Sequence, residues 1–252
     1  MAVKRNLWSS YTSLDGGPQF PKYPCPSCTD GRLRLNDGSY VCHETDRSKR
    51  FHKLDDWEPE WTEERFIAFL VCDEASCGEM VVVAGDTDVF PAHDDEWGHV
   101  LETVLRPLSM LPPPPIFPIS QALPESVKKE LRLAFQLYWA DRGACVSRLR
   151  TSLEAALDQK KIATQGVTKK GKPYRLSLSE RINLFEQQFG DADNAESMHA
   201  LRTIGNLGTH GSGPDLEVLF DAMDVYEDAL LEIYEGKTAK LKAKKLKLKG
   251  LA

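Results

Sequence analysis

Two groups of residues in this sequence have types and spacings that can do chemistry. The first is a set of thiols. Cys25-Pro26-Ser27-Cys28 is a CxxC knuckle, and two thiolates at that spacing can reach one ion from a single tight turn. Cys72-Asp73-Glu74-Ala75-Ser76-Cys77 is a wider CxxxxC knuckle, within the spacings of structural zinc sites. Taken together, Cys25, Cys28, Cys72 and Cys77 predict a closed tetrahedron of four thiolates around a structural Zn2+. Such a site leaves no open position and holds structure instead of doing chemistry. Cys42 competes for the same role, because thirteen residues separate it from Cys28, which is also zinc-like spacing. Its neighbour His43 does not strengthen it, since adjacent side chains diverge on an extended backbone. Cys72 and Cys77 are therefore the preferred second pair, although 43 residues lie between the knuckles. That interval, with Trp57 and Trp61, reads as an insertion packed on the ribbon. The plain alternative is that these are free buried thiols, the reading given to Cys145.

The second group is Leu201-Arg202-Thr203-Ile204-Gly205-Asn206-Leu207-Gly208-Thr209-His210. On a helix, Arg202, Asn206 and His210 drift only about 80° around the axis, and His199 falls within that arc. Leu201 and Ile204 lie on the opposite, packing side. Two glycines in one helix each cost about 1 kcal/mol against alanine, which points to a close backbone approach. A histidine at a helix C-terminus is favoured in its protonated form by the helix dipole. Beside an arginine, it has the chemistry of a general acid with a phosphate clamp, as RNA cleavage through the 2′-hydroxyl requires. The bland account is a solvated or paired face, with Arg202 bonded to Glu154 or another carboxylate of the preceding helix.

The elements that must position these residues follow from pattern. Residues 1–20 are polar, with Gly16-Gly17-Pro18, and read as an irregular lead. Arg32–Cys42 predicts a hairpin turning at Asn36-Asp37-Gly38. Phe66–Val71 and Met80–Ala84 are β-rich and predict a second hairpin between which the second knuckle sits. Residues 91–110 give no clear element. Leu111-Pro112-Pro113-Pro114-Pro115-Ile116-Phe117-Pro118 is a stiff extended linker, because proline fixes φ and lacks the amide donor. Beyond it the period becomes helical. Glu125–Gln159 predicts a long helix that Gly143 bends or splits, and 160–176 reads as a loop. Ser177-Leu178-Ser179-Glu180 is a capping-box signature for a helix to Phe189. Asp193-Asn194-Ala195-Glu196 opens another to His210, and Asp215–Tyr234 is the last with an apolar stripe.

The expected architecture is α+β. A small β-rich zinc ribbon-like module (1–110) precedes a proline-rich linker (111–119), an all-α helical bundle (120–236) and a lysine-rich tail (237–252). The formal net charge is −6 over 252 residues. Seven lysines follow Gly236, so the rest of the chain carries −13, the −6 total less the tail's +7. Wholesale nucleic-acid binding is not suggested by that balance. A basic tail on an acidic body can still grip RNA, DNA or an acidic surface, or can simply be a solvated terminus. No apolar run approaches the ~20 residues of a membrane span, and no secretory signal is seen. The expected setting is the cytoplasm, where clustered cysteines favour metal over disulfides.

Arg150-Thr151-Ser152-Leu153-Glu154, followed by the Leu201–His210 run, resembles a bacterial domain-of-unknown-function family related to HEPN domains. The resemblance covers about 120–235, and more loosely 20–85, since members often carry an N-terminal zinc knuckle pair. It implies a bundle of four or five helices that homodimerises, with roles in restriction, toxin or anti-phage loci. Many HEPN proteins are metal-independent ribonucleases with an Arg-polar-x-x-x-His motif at the dimer interface. Carried over, Asn206 matches the polar position and His210 the histidine, while the arginine position is Gly205 and Arg202 sits nearly one turn earlier. The expected function is a zinc-containing adaptor or sensor that binds a protein partner from its own locus. The alternative is a HEPN-type endoribonuclease using Arg202, Asn206 and His210.

Overall fold

The computed structural model describes residues 3–8, 11–14, 17–94, 98–207 and 214–249. The chain divides into two compact units. One is Lys4–Ile116 with Phe135–Ala140, and the other is built mainly from Phe117–Ala134 and the chain from Asp141 onward.

The first unit is a curled antiparallel sheet. Its strands are β1 (Thr12–Ser13), β2 (Leu33–Leu35), β3 (Val41–Glu44), β4 (Glu64–Cys72), β5 (Met80–Asp94) and β6 (Gly98–Leu111), with a short helix α1 (Asp46–Phe51) after β3. The order is β1-β6-β5-β4-β2, and β3 also pairs with β4. Residues 91–110, unassigned from sequence, are largely the long β5–β6 hairpin, and β1 from the irregular lead adds to its edge. Pro107 sits inside β6, where a missing amide donor would break a ladder. It lies opposite Gly85, where the register shifts beside Ala84. At Gly85 a Cβ would stand 2.8 Å from the Phe66 ring and closer still to the Arg106 carbonyl oxygen, so only glycine fits this bulge.

The Asn36-Asp37-Gly38 turn forms, with Gly38 at φ +72° and Ser39 N donating to Asn36 O at 3.1 Å, yet it does not reverse the chain. β2 and β3 do not pair with each other. Both run antiparallel to β4, Leu33 opposite Cys72 and Val41 opposite Ile67, so the predicted hairpin is a looped excursion along one edge. β4 is nine residues long and accommodates both short strands end to end. Where the chain leaves the edge, Ser39 fills the ladder: its Oγ accepts from Phe69 N at 3.2 Å and donates to the carbonyl of Asn36 at 2.6 Å.

Burial alternates along β4, with Phe66, Ala68, Leu70 and Cys72 inward. Val81 and Val83 of β5 and Leu105 and Met110 of β6 join them. Trp8 packs at 5.3 Å from Tyr23 and at 6.0 Å from both Tyr138 and Trp139, and its carbonyl accepts from the Tyr138 hydroxyl. These rings supply the largest buried areas of this core.

The second unit is helical: α2 (Glu125–Leu137, whose last residues group with the sheet unit), α3 (Arg142–Gln159), α4 (Leu178–Phe189), α5 (Ala192–Leu207), α6 (Leu216–Glu235) and α7 (Lys237–Lys249). The predicted long helix is two helices. The break comes before Gly143, at Asp141, whose carboxylate accepts from Ala144 N at 2.9 Å and caps α3. The predicted loop 160–176 contains a two-stranded hairpin, β7 (Gln165–Val167) with β8 (Pro173–Arg175), so the unit is not purely α. The capping box at Ser177 forms, and Gly190 closes α4 in the left-handed conformation. α5 opens from Asp191, which accepts from Asn194 N, two residues ahead of the predicted Asp193 start. Leu149, Leu153, Ile182, Met198, Leu201, Leu219, Met223 and Leu230 make the core. Within it the hydroxyls of Ser152 and Tyr226 bond at 2.7 Å, satisfying two buried polar groups across α3 and α6.

Candidate metal centre

Leu33 of β2 pairs with Cys72, the last residue of β4, and this pairing brings the two knuckles together. Tyr23 and Leu33 anchor the first knuckle: Leu33 N donates to Tyr23 O at 2.8 Å, and Cys25 N to Gly31 O at 3.1 Å. The second knuckle is a turn in which Cys77 N donates to Glu74 O at 2.9 Å and Gly78 takes φ +62°. Cys72 N donates back to Glu79 O at 2.8 Å, closing the loop at its base.

The ligand atoms of Cys25, Cys28, Cys72 and Cys77 all lie within 4.8 Å of one another, so the four could hold a metal ion. The Cys25 and Cys77 sulfurs are 3.7 Å apart, as are those of Cys28 and Cys72. Backbone amides point at the sulfurs: Ser27 N donates to Cys25 Sγ and Gly31 N to Cys28 Sγ, each at 3.4 Å. The Gly31 amide favours thiolate, and its bond holds the Cys28 thiol below its ordinary range. Burial works the other way at Cys25, pushing it up to about 12, and it raises Cys72 as well. Four thiolates cannot share this space without a cation to offset them. Gly31 shapes the floor of the site. A Cβ there would stand 2.9 Å from Cys28 Sγ and closer still to Cys72 Sγ. The spacing of the cysteines does not reveal this dependence on glycine.

Cys42, the competing ligand, lies on β3 opposite Phe66 and does not join the cluster. Its thiol is raised by burial, as is that of the buried Cys145. His43 sits opposite Arg65 on the same strand. The long interval between the knuckles supplies β3, α1 and most of β4. In it Trp57 packs against His52 at 4.5 Å and Trp61 against Phe51 at 6.4 Å.

The polar helix face is a separate place in the fold. Arg202 and Asn206 lie on α5, and His199 on that helix bonds Asn183 of α4 at 3.0 Å. His210 lies outside the described residues. Arg202 is half-buried, and its Nε has no hydrogen-bond partner among the described residues. Glu154 is not the partner of Arg202. Arg150 on α3 takes that place: its Nε lies 3.6 Å from Glu154, and its guanidinium donates to Asn206 Oδ1. The stem of Arg150 crosses α5 at Gly205, where a Cβ would be 3.2 Å from both Cβ and Cδ of Arg150. Reasoning along one helix misses Arg150, because the residues that meet belong to two. The available signal was Gly205 itself, a glycine interrupting a polar face.

No helix among the described residues is long and apolar enough to cross a membrane. Residues 16–108 are similar to the domain of unknown function DUF8608, and residues 132–249 to the domain of unknown function DUF4145. No curated protein and no solved structure matches the chain. What the comparisons give is thus a chain of two successive matches, the first containing the cysteine cluster and the second the helices from α3 to α7.

Proposed function

We propose that this chain is a zinc-containing adaptor or sensor, acting through binding, with the zinc in a structural role. The observation that carries the reading is the pair of 3.7 Å sulfur–sulfur edges in a cluster of four cysteines. An ion bound by four thiolates at about 2.3 Å sits in a tetrahedron whose edges are about 3.8 Å. The donor set also suits zinc, since soft thiolates select it over magnesium or calcium. Four protein ligands leave no place for water or substrate, so the ion would staple the Cys25–Cys28 knuckle to the end of β4. The sheet unit would then present surfaces to partners, and the helical unit would supply a second binding module or pair with a copy of itself.

A second reading, a HEPN-type endoribonuclease, has one observation in its favour. The resemblance places an arginine at 205, and Arg150 brings a guanidinium to Asn206 directly across Gly205. Arg150 would then act with Arg202, Asn206 and His210. Its bonds to Glu154 and Asn206 weigh towards scaffold, because a clamp for phosphate needs donors that are not already engaged.

The two readings separate on expression and in the tube. An adaptor predicts that the wild-type protein is no more toxic than His210→Ala, leaves RNA intact, and carries one zinc per chain that Cys25→Ser and Cys72→Ser lose. RNA cleavage abolished by His210→Ala and Arg150→Ala would overturn it in favour of the nuclease. Unchanged metal content in the cysteine variants would remove the zinc centre altogether.

A further inference from the structure

We infer that α7 is a DNA-binding element that lies in the major groove of duplex DNA and grips its phosphates without reading its sequence. This inference does not depend on the cysteine cluster and adds a ligand class to the adaptor reading.

Lys237–Lys249 is a helix of 13 residues with no acidic side chain, following a left-handed turn at Gly236. All seven of its lysines are exposed. Lys237 is committed to Asp228 of α6, which leaves Lys240, Lys242, Lys244, Lys245, Lys247 and Lys249. At about 100° per residue these lysines sweep roughly 220° of the circumference. Leu241 and Leu248, 50% and 67% exposed, lie inside that arc, and Leu246, 64% exposed, lies on the far side. The helix therefore has no continuous apolar stripe.

That pattern selects among polyanions. An interfacial membrane helix needs an apolar face to bury, and here the leucines are divided between opposite sides. Pairing with a second α7 would bring like charges together with no seam to hold them. Duplex DNA fits better. An α-helix of 10–12 Å diameter enters the ~12 Å major groove of B-form DNA, whereas the deep, narrow major groove of A-form RNA does not admit side chains. With charge around more than half the helix, lysines can reach phosphates on both walls of the groove. Base readout relies chiefly on the fork of arginine and the amides of asparagine and glutamine, none of which α7 contains; its lysines can meet guanine as well as phosphate, but a single side-chain type offers no code for a sequence. Lysine is a point charge that suits phosphate oxygens. The rest of the chain carries net negative charge and would be held off the duplex, so binding would be confined to this helix.

The test uses the full chain and a fluorescein-labelled 20-bp duplex of random sequence, followed by anisotropy across a salt series. Four to six phosphate contacts give a slope of log K against log salt between about −4 and −5. Affinity should then fall by two to three powers of ten between 50 and 200 mM salt. Replacing Lys240, Lys242, Lys244, Lys245, Lys247 and Lys249 by Gln, which keeps helix propensity, should abolish binding at 50 mM salt. Replacing the same six by Arg should retain it. Far-UV circular dichroism of both variants, unchanged from wild type, shows that the fold survives. Failure of the wild type to bind at 50 mM salt, or equal binding by the Gln variant, would overturn the inference. So would tighter binding to a 20-bp RNA duplex or to phosphatidylserine vesicles than to the DNA.

Discussion

Gly31→Ala should dismantle the proposed zinc centre while changing one hydrogen to a methyl group. Gly31 is not in the left-handed region, so the effect is steric and not conformational. The added Cβ would stand 2.9 Å from Cys28 Sγ, and ordinary contact begins at 3.4 Å, so that sulfur must retreat by 0.5 Å. Cys72 Sγ, nearer still, must move further. Ligand distances in a zinc site tolerate only about 0.2 Å, so at least one thiolate leaves the ion or the knuckle opens. Disturbing a partner of the ligands typically costs 10–100-fold in metal affinity, and displacing the ligands themselves should cost about 100-fold or more. Competition of the purified protein against a chromogenic zinc chelator measures it directly. Gly38→Ala is the matched control. Its glycine has φ +72° with no atom within 4 Å of the added Cβ, so alanine there should cost roughly 1–2 kcal/mol of stability and leave zinc affinity alone. Zinc binding by Gly31→Ala within about threefold of wild type would refute the reasoning, because the sulfurs could not then be packed as described.

Two other outcomes follow from the packing. Gly85→Ala forces a methyl group against the Arg106 carbonyl and the Phe66 ring at the bulge opposite Pro107, and should destabilise the sheet by about 1–3 kcal/mol in urea unfolding, with unchanged zinc affinity. The Glu180 carboxyl is held below the usual carboxylate range by hydrogen bonds from the Ser177 hydroxyl and amide and from Tyr174. A carboxylate with a depressed folded pKa stabilises above its ordinary value near 4.5 and loses that contribution as pH falls through the folded value. The stability difference between wild type and Glu180→Gln should therefore be constant from pH 7 to 6 and shrink between pH 5 and 3; a difference that grows on acidification would contradict the capping geometry.

What could be read from the sequence was whatever is encoded over a few residues. The two knuckles, the β-rich runs of β4 and β5, the capping box at Ser177 and the stripe of α6 all declare themselves within one turn or one strand. β6 did not, because Glu102, Arg106 and Pro107 interrupt its pattern, and the glycine that accommodates the proline lies on another strand. The Asp-Gly turn was legible, but its pairing was not. A turn specifies local backbone, whereas the partner of Leu33 is decided by Cys72 and Val71 far along the chain. Gly143 drew attention as the weak point of a long helix, while the break was set by the capping carboxylate of Asp141. Arg150 was visible as part of a helix motif, but its meeting with Asn206 was not, because helix packing makes it.

The excursion at 36–40 separates two registers that an ordinary strand would lock together. β2 is indexed to β4 by Leu33 opposite Cys72, and β3 by Cys42 opposite Phe66. Ser39 completes the hydrogen bonding between them with a side chain, so the ladder does not count the residues that bulge outward. An insertion at Asp37-Gly38 would be absorbed in solvent and passed to neither strand. The edge of this sheet thus has a point of length tolerance beside a cysteine cluster that has none. A grafted peptide or a lineage-specific loop could occupy it while every thiol stayed in place.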